Sequence, residues 1–185
     1  LNGTQTFPKD VITKNTFHAM LPALRMHFRF PEGRHARLSY TVNTQIPSVE
    51  QLQNTINNSN PLFITAGNPL LSEVINHSFN SSYFATDIET GSLLMFGFSF
   101  NYAKDYIGNY TFVATNDTLL PNGISLLRGT QFSYPINIGN SISFSTQANY
   151  GFSIEALRSN MNFFMLFNYS EVPGIVNEIR NLSRR

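Results

Sequence analysis

Apolar and polar residues alternate with a period of two along most of the chain, the side-chain period of a strand and not the 3.6 of a helix. Between Ala23 and Phe30 one face carries Leu24, Met26, Phe28 and Phe30, and the other carries Ala23, Arg25, His27 and Arg29. The next segment sets Ala36, Leu38, Tyr40 and Val42 against His35, Arg37, Ser39, Thr41 and Asn43. Pro31-Glu32-Gly33 lies between them with the residues of a tight turn, so the two segments are expected to pair as an antiparallel hairpin. Leu94, Phe96, Phe98, Phe100 and Tyr102 continue the pattern, as do Phe132, Tyr134, Ile136 and Ile138, and then Ile142, Phe144, Ala148, Tyr150 and Phe152. Ile75, Phe79 and Tyr83 give a weaker strand, as do Tyr110, Phe112 and Ala114. Met161, Phe163, Met165, Phe167 and Tyr169 form the last clear one, although Phe164 and Leu166 make its second face apolar too. The expected fold is all-β, an antiparallel meander of about seven or eight long strands.

Short and long connections alternate between these segments. Asp87-Ile88-Glu89-Thr90-Gly91 and Ile138-Gly139-Asn140 read as short loops, whereas Gln45 to Ser72 is a long Asn- and Pro-rich connection and Asn116 to Gly123 a second polar break. Such alternation is the habit of outer-membrane barrels, with short turns on the periplasmic side and long loops outside. A few segments can be helical, chiefly Ser48 to Asn54 inside the long loop and Gly174 to Arg185 at the end.

Two solvents can explain an aromatic strand face: a second sheet in a soluble sandwich, or lipid around a closed barrel. Composition bears on the choice. Only 12% of the 185 residues are charged, against roughly a quarter in ordinary soluble domains. The polar strand faces are mostly uncharged Ser, Thr, Asn and Gln, where a solvated sandwich face normally carries Lys and Glu. Arg25, His27, Arg29 and Arg37 all fall opposite the aromatic face. An Arg turned into lipid at mid-membrane costs about 2 to 4 kcal/mol, so a barrel requires that segregation, and a sandwich would also produce it. The barrel is the first reading, and a soluble secreted β-sandwich that binds carbohydrate or another surface ligand is the alternative.

The order Leu38-Ser39-Tyr40-Thr41-Val42, Ile46-Pro47-Ser48-Val49-Glu50-Gln51-Leu52, Asn60-Pro61-Leu62 and Gly67-Asn68-Pro69-Leu70-Leu71, followed by a new strand, resembles the barrel region of TonB-dependent outer-membrane receptors. It is most similar to the group with a fused outer-membrane β-barrel domain. Leu21-Pro22-Ala23-Leu24, Leu157 to Asn162 and Val172 to Asn177 also look like that family. Where the family often has Lys-Pro-Glu after the motif, this chain has Ser72-Glu73-Val74.

The resemblance implies that residues 1–185 are a single domain and part of a transmembrane barrel of about 22 strands, with the loop over 45–73 outside the cell. It implies a missing N-terminal part with a plug domain, and a chain that begins in mid-protein at Leu1, where no signal peptide is legible. The implied function is import of a scarce nutrient, an iron chelate, a glycan or a peptide, at the bacterial outer membrane. Implied partners are outer-membrane lipid, the TonB complex through the missing part, a surface lipoprotein and the small nutrient ligand.

Chemistry is sparse. With no Cys there is no disulfide, thiolate nucleophile or cysteine zinc site. His18, His27, His35 and His77 lack metal-ligand spacing, so neither metal nor cofactor is expected. There is no Gly-x-Ser-x-Gly elbow, P-loop or dinucleotide fingerprint, and the expectation is that the protein is not an enzyme. A net charge of +1 argues against nucleic acid. The residues singled out are Pro47, Asn60, Pro61, Gly67, Asn68 and Pro69, expected to shape the long loop and secondarily to touch a ligand. Tyr40, Tyr83, Tyr102, Tyr106, Tyr110 and Tyr169 are candidates for aromatic girdles near strand ends.

Overall fold

The computed structural model describes residues 2–5, 11–14, 20–120 and 123–185. In chain order the strands are β1 (Asn2–Gln5), β2 (Val11–Lys14), β3 (Ala23–Arg29) and β4 (His35–Gln45). A short helix α1 (Val49–Leu52) precedes β5 (Ile56–Asn60), β6 (Phe63–Ala66), β7 (Val74–Asp87) and β8 (Ser92–Val113). Then come β9 (Thr118–Leu119), β10 (Ser125–Leu126), β11 (Gln131–Ile154), a 3-10 turn (Glu155–Leu157), β12 (Ser159–Val176) and β13 (Ile179–Arg184). β1 and β2 form a separate two-stranded ribbon.

The architecture is an up-and-down meander in which β3, β4, β7, β8, β11 and β12 each pair antiparallel with the next. All three short turns of this meander lie at one end, and each uses a residue in the left-handed region. Gly33 (φ 73°) serves β3–β4, Gly91 (φ 61°) β7–β8, and Arg158 (φ 46°) β11–β12. Asp87 reinforces its turn by accepting from the amides of Glu89 at 2.9 Å and Thr90 at 3.3 Å, as an Asx turn does. The two long connections, from Ile46 to Glu73 and from Ala114 to Thr130, lie at the opposite end.

Two segments differ from the sequence expectation. Ile138-Gly139-Asn140 is no loop: it is a bulge inside the continuous β11, where the register against β8 shifts between Asn137, Gly139 and Ser141. Gly139 takes φ 122° and Asp105, across the bulge, φ 56°. A bulge and a turn share the same residue preferences, Gly and Asn, which is why local sequence confuses them. The same bulge joins the segments around Leu94–Tyr102 and Tyr110–Ala114 into the single strand β8. Gly174 to Arg185 is also not helical: it completes β12 and turns through Asn177 (φ 48°) and Glu178 (φ 67°) into β13. Two successive positive φ values mark the tight hairpin turn whose twist matches paired strands, here built without the usual Gly.

At Ser48 to Asn54 the expected helix is present as α1. The Ser48 hydroxyl accepts from the Gln51 amide at 3.2 Å while the Gln51 side chain accepts from the Ser48 amide at 3.0 Å, a reciprocal capping box.

The core is small and sits at the long-loop end. Ile64, Ala114, Leu126 and Phe132 pack together, with Phe112, Leu120, Ile124 and Tyr134 against them. Below the bulge no second layer covers either face of the meander among the described residues. The sheet is open, with β3 at one edge and the turn-proximal part of β12 at the other.

Candidate functional site

The register turns separate alternating strands into one wall with two chemically distinct faces. Leu24, Tyr40, Phe79, Phe100, Phe144 and Tyr169 stand opposite one another in a single cross-strand row through all six strands. Phe28, Ala36, Tyr83, Phe96, Ala148 and Met165 form a parallel row nearer the short turns. Neighbouring rings touch, with centroids 5.2 Å apart for Phe144 and Tyr169 and 5.7 Å for Phe144 and Phe167. The opposite face reads Arg25, Ser39, Asn80, Ser99, Ser145 and Asn168 in the equivalent row.

The aromatic face is uncovered. Phe96 is 41% exposed, Phe163 57% and Met165 60%. A single row of such exposures is commonplace, but a continuous apolar face across six strands exceeds what soluble surfaces leave bare. Its height is that of a bilayer: Leu94 to Tyr102, Ile142 to Phe152 and Met161 to Tyr169 each fall within the roughly 9 to 11 residues of a tilted spanning strand.

The tyrosines divide. Tyr40, Tyr102 and Tyr169 gather at the long-loop end of the aromatic face, where the Tyr40 hydroxyl meets His77 Nδ1 at 2.8 Å, and Tyr83 lies nearer the short turns. Tyr106 and Tyr110 stand beyond the bulge instead. Tyr110 packs on Tyr134 at 5.1 Å, and burial pushes its hydroxyl pKa up.

Above the bulge the long loop is folded down onto the wall. β6 pairs in parallel with the start of β11, Phe63 opposite Gln131 and Thr65 opposite Ser133. All six singled-out residues lie in this cap. Pro47 is fully buried. Asn60 accepts from the Leu62 amide at 3.0 Å, and the Pro61 carbonyl accepts from the Thr130 hydroxyl at 3.3 Å. Gly67 lies so close to the end of α1 that a Cβ would stand 1.9 Å from the Gln53 carbonyl oxygen. The Asn68 amide donates to the Gln51 carbonyl at 2.6 Å, its side-chain oxygen accepts from the Leu70 amide at 3.0 Å, and its side-chain nitrogen donates to the Pro135 carbonyl at 3.0 Å. Pro69 is exposed on the turn that follows. Between cap and wall, Glu50, Gln51, Thr55, Asn57 and Asn109 border a polar hollow of about 250 Å³, with Gly67 in its lining.

This chain belongs to the outer membrane protein beta-barrel family, which it matches over residues 1–184. It is therefore a protein of the bacterial outer membrane. No curated protein matches it. Membership in a barrel family explains the uncovered aromatic wall, which as a water-facing surface would aggregate.

Two anchoring residues carry no sequence signal. Asn137 donates to the Asp105 carbonyl at 2.7 Å and to the Ser72 carbonyl at 3.3 Å while accepting from the Ser72 amide at 3.0 Å, so it ties the loop end to the bulge. Asn177 accepts from the Val113 amide at 2.7 Å. Both are Asn among many in an Asn-rich chain, distinguishable only once the strands are in register. Among the described residues no three His, Asp or Glu side chains gather as metal ligands. His18 lies outside the described residues, His77 is on the aromatic face, and His27 and His35 adjoin on the polar face with ring centroids 6.0 Å apart.

Proposed function

We propose that the six-stranded wall is a sector of the transmembrane barrel of a TonB-dependent receptor, which imports a scarce nutrient such as an iron chelate, a glycan or a peptide. The observation that carries the barrel half of this reading is the merging of six aromatic strand faces into one uncovered surface one bilayer high, with a polar surface behind it that carries Arg25, Arg29 and Arg37. In hydrocarbon every backbone N–H and C=O must be paired, so the open edges at β3 and β12 require further strands to close the wall. The receptor half rests on the loop series from Pro47 through Asn60-Pro61 to Gly67-Asn68-Pro69, which resembles that of such receptors.

In this role the protein does no covalent chemistry. Its wall meets lipid outside and water or a plug inside, and its cap faces the medium, where a surface lipoprotein can dock. Energy arrives from the inner membrane through the TonB complex.

The test places spin labels one at a time on Met161 through Tyr169 of the intact gene product in lipid vesicles. Odd positions should be relaxed by oxygen, which concentrates in lipid, and even positions by a water-soluble nickel chelate; the reverse phase, or no alternation, overturns the barrel wall. Nutrient uptake that persists without TonB overturns the receptor.

A further inference from the structure

On the polar face the rule that keeps apolar side chains away fails at one place. His35, Phe84, Met95, Asn149 and Phe164 face one another in sequence across five strands near the short turns. The adjacent row reads Arg37, Ser82, Gly97, Gln147 and Leu166. The Gln147 side chain leans over Gly97, where a Cβ would meet it at 3.1 Å, and the small Ser82 leaves space beside Arg37 above the apolar row. The result is a hollow of about 310 Å³, the lower end of the range for small-molecule sites.

Three features of this hollow point to a ligand. Its floor is apolar on a face otherwise mostly polar, and the His35 ring is stacked on Phe84 at 4.8 Å, which fixes the rim. Asn149 Oδ1 is buried there without a hydrogen-bond partner, a state that native proteins rarely leave uncorrected. Positive charge stands on one side only. Arg37 borders the hollow and faces His27, and Arg29 faces His35. The ion pairs among the described residues are Arg34–Glu32 and Arg184–Glu171, so Arg29 and Arg37 have no carboxylate.

We propose that this hollow binds an amphipathic organic acid. The apolar body lies on Phe84, Met95 and Phe164, the carboxylate meets Arg37, and a turn of the Asn149 side chain brings its buried, unpartnered Oδ1 to an N–H or O–H of the ligand. The inference rests on the barrel reading, in which this face lines the interior, and it narrows the cargo to a small anion with an apolar part and a hydrogen-bond donor. A fully polar sugar would leave the apolar floor unused, and a cation would meet Arg37.

Indole-3-acetate has all three elements and serves as the probe. Its binding to the intact gene product, purified from outer membranes in detergent, is read by saturation-transfer NMR and calorimetry, with tryptamine as the cationic counterpart. The expected result is saturable binding of indole-3-acetate and none of tryptamine, weakened at least tenfold by Arg37→Gln and by Gly97→Val, which pushes the Gln147 side chain off Gly97 and into the hollow. Should either variant fail to fold, the salt dependence of the unaltered protein still decides, since a carboxylate held by Arg37 must loosen as ionic strength rises. No saturable binding overturns the inference, as does equal binding of tryptamine or binding indifferent to salt and to both substitutions. The spin-label phase at Met161 through Tyr169 is recorded on the same preparation. A correct lipid phase without binding rejects the hollow alone, whereas a failed phase rejects the barrel whatever the probe does.

Discussion

The side-chain amide of Asn68 donates to the carbonyl oxygen of Pro135 at 3.0 Å, joining the long loop to the start of the wall strand β11, far away in sequence. Pro135 brings no N–H of its own to the ladder, but its carbonyl is available to a side chain. Asn68 also holds Gln51 and Leu70. Asn68→Ala removes the cross-link and leaves partly buried groups unsatisfied, at about 1 to 3 kcal/mol. Hydrogen exchange of the Gly67 to Leu71 amides should quicken while that of the β8–β11 pairing below the bulge stays unchanged; uniform quickening would mean that Asn68 supports the whole sheet instead of the cap.

Gly67 and Gly97 make opposite forecasts from the same substitution. A Cβ on Gly67 would meet rigid backbone at 1.9 Å, so Gly67→Ala has to displace α1 or the loop. A Cβ on Gly97 would meet only the flexible Gln147 side chain at 3.1 Å. Limited proteolysis of the folded protein should show new cleavage between Gln45 and Ser72 in Gly67→Ala and none in Gly97→Ala. Equal resistance of the two variants would contradict the close approach.

The period-two pattern made the wall legible because register preserves it: Leu24 and Tyr169 are far apart in sequence yet fall on one row, as alternating faces require. The six motif residues lie together in the connection between β4 and β7. Less legible was everything decided by long-range register. The bulge at Gly139 imitates a turn, and Asn177-Glu178 turns without glycine. Likewise the Phe84, Met95 and Phe164 row is invisible along the chain, since each residue alone is an ordinary apolar exception on its own strand.

The β12–β13 hairpin should be acid-sensitive. The Arg184 side chain, donating to Glu171 at 2.9 Å, and then the Tyr169 hydroxyl at 3.1 Å hold the Glu171 carboxyl below its usual pKa, and Glu171 raises that of Arg184 in return. A carboxyl depressed in the folded state supplies stability above its unfolded pKa and loses it as pH falls through the folded value. Amide exchange at Ser183 and Arg185, whose N–H groups point at β12, corrected for its intrinsic pH dependence, should therefore rise relative to the β8–β11 core as pH drops below the ordinary carboxylate range. In Glu171→Gln that extra rise should vanish; its persistence would assign the sensitivity to another group. Both side chains of the pair are partly solvated, so the effect should be small and weaken with salt.

Met165 and Ser145 separate the two faces by energy. Met165 stands midway along the aromatic stretch of β12 and is 60% exposed, whereas Ser145 belongs to the polar row with Asn168 and Ser99. If the aromatic face meets hydrocarbon, Met165→Arg places a guanidinium near the bilayer midplane and costs about 2 to 4 kcal/mol. Ser145→Arg turns the same group toward an interior that already holds Arg25 in its row, so its cost should stay within about 1 kcal/mol, the scale of a polar lumen substitution. Reversible urea unfolding of the intact protein in lipid vesicles measures both. The comparison cancels the intrinsic strand preference of Arg, because both sites lie in central stretches of long strands. Equal costs would mean that Met165 faces water, and a larger cost at Ser145 would turn the wall inside out.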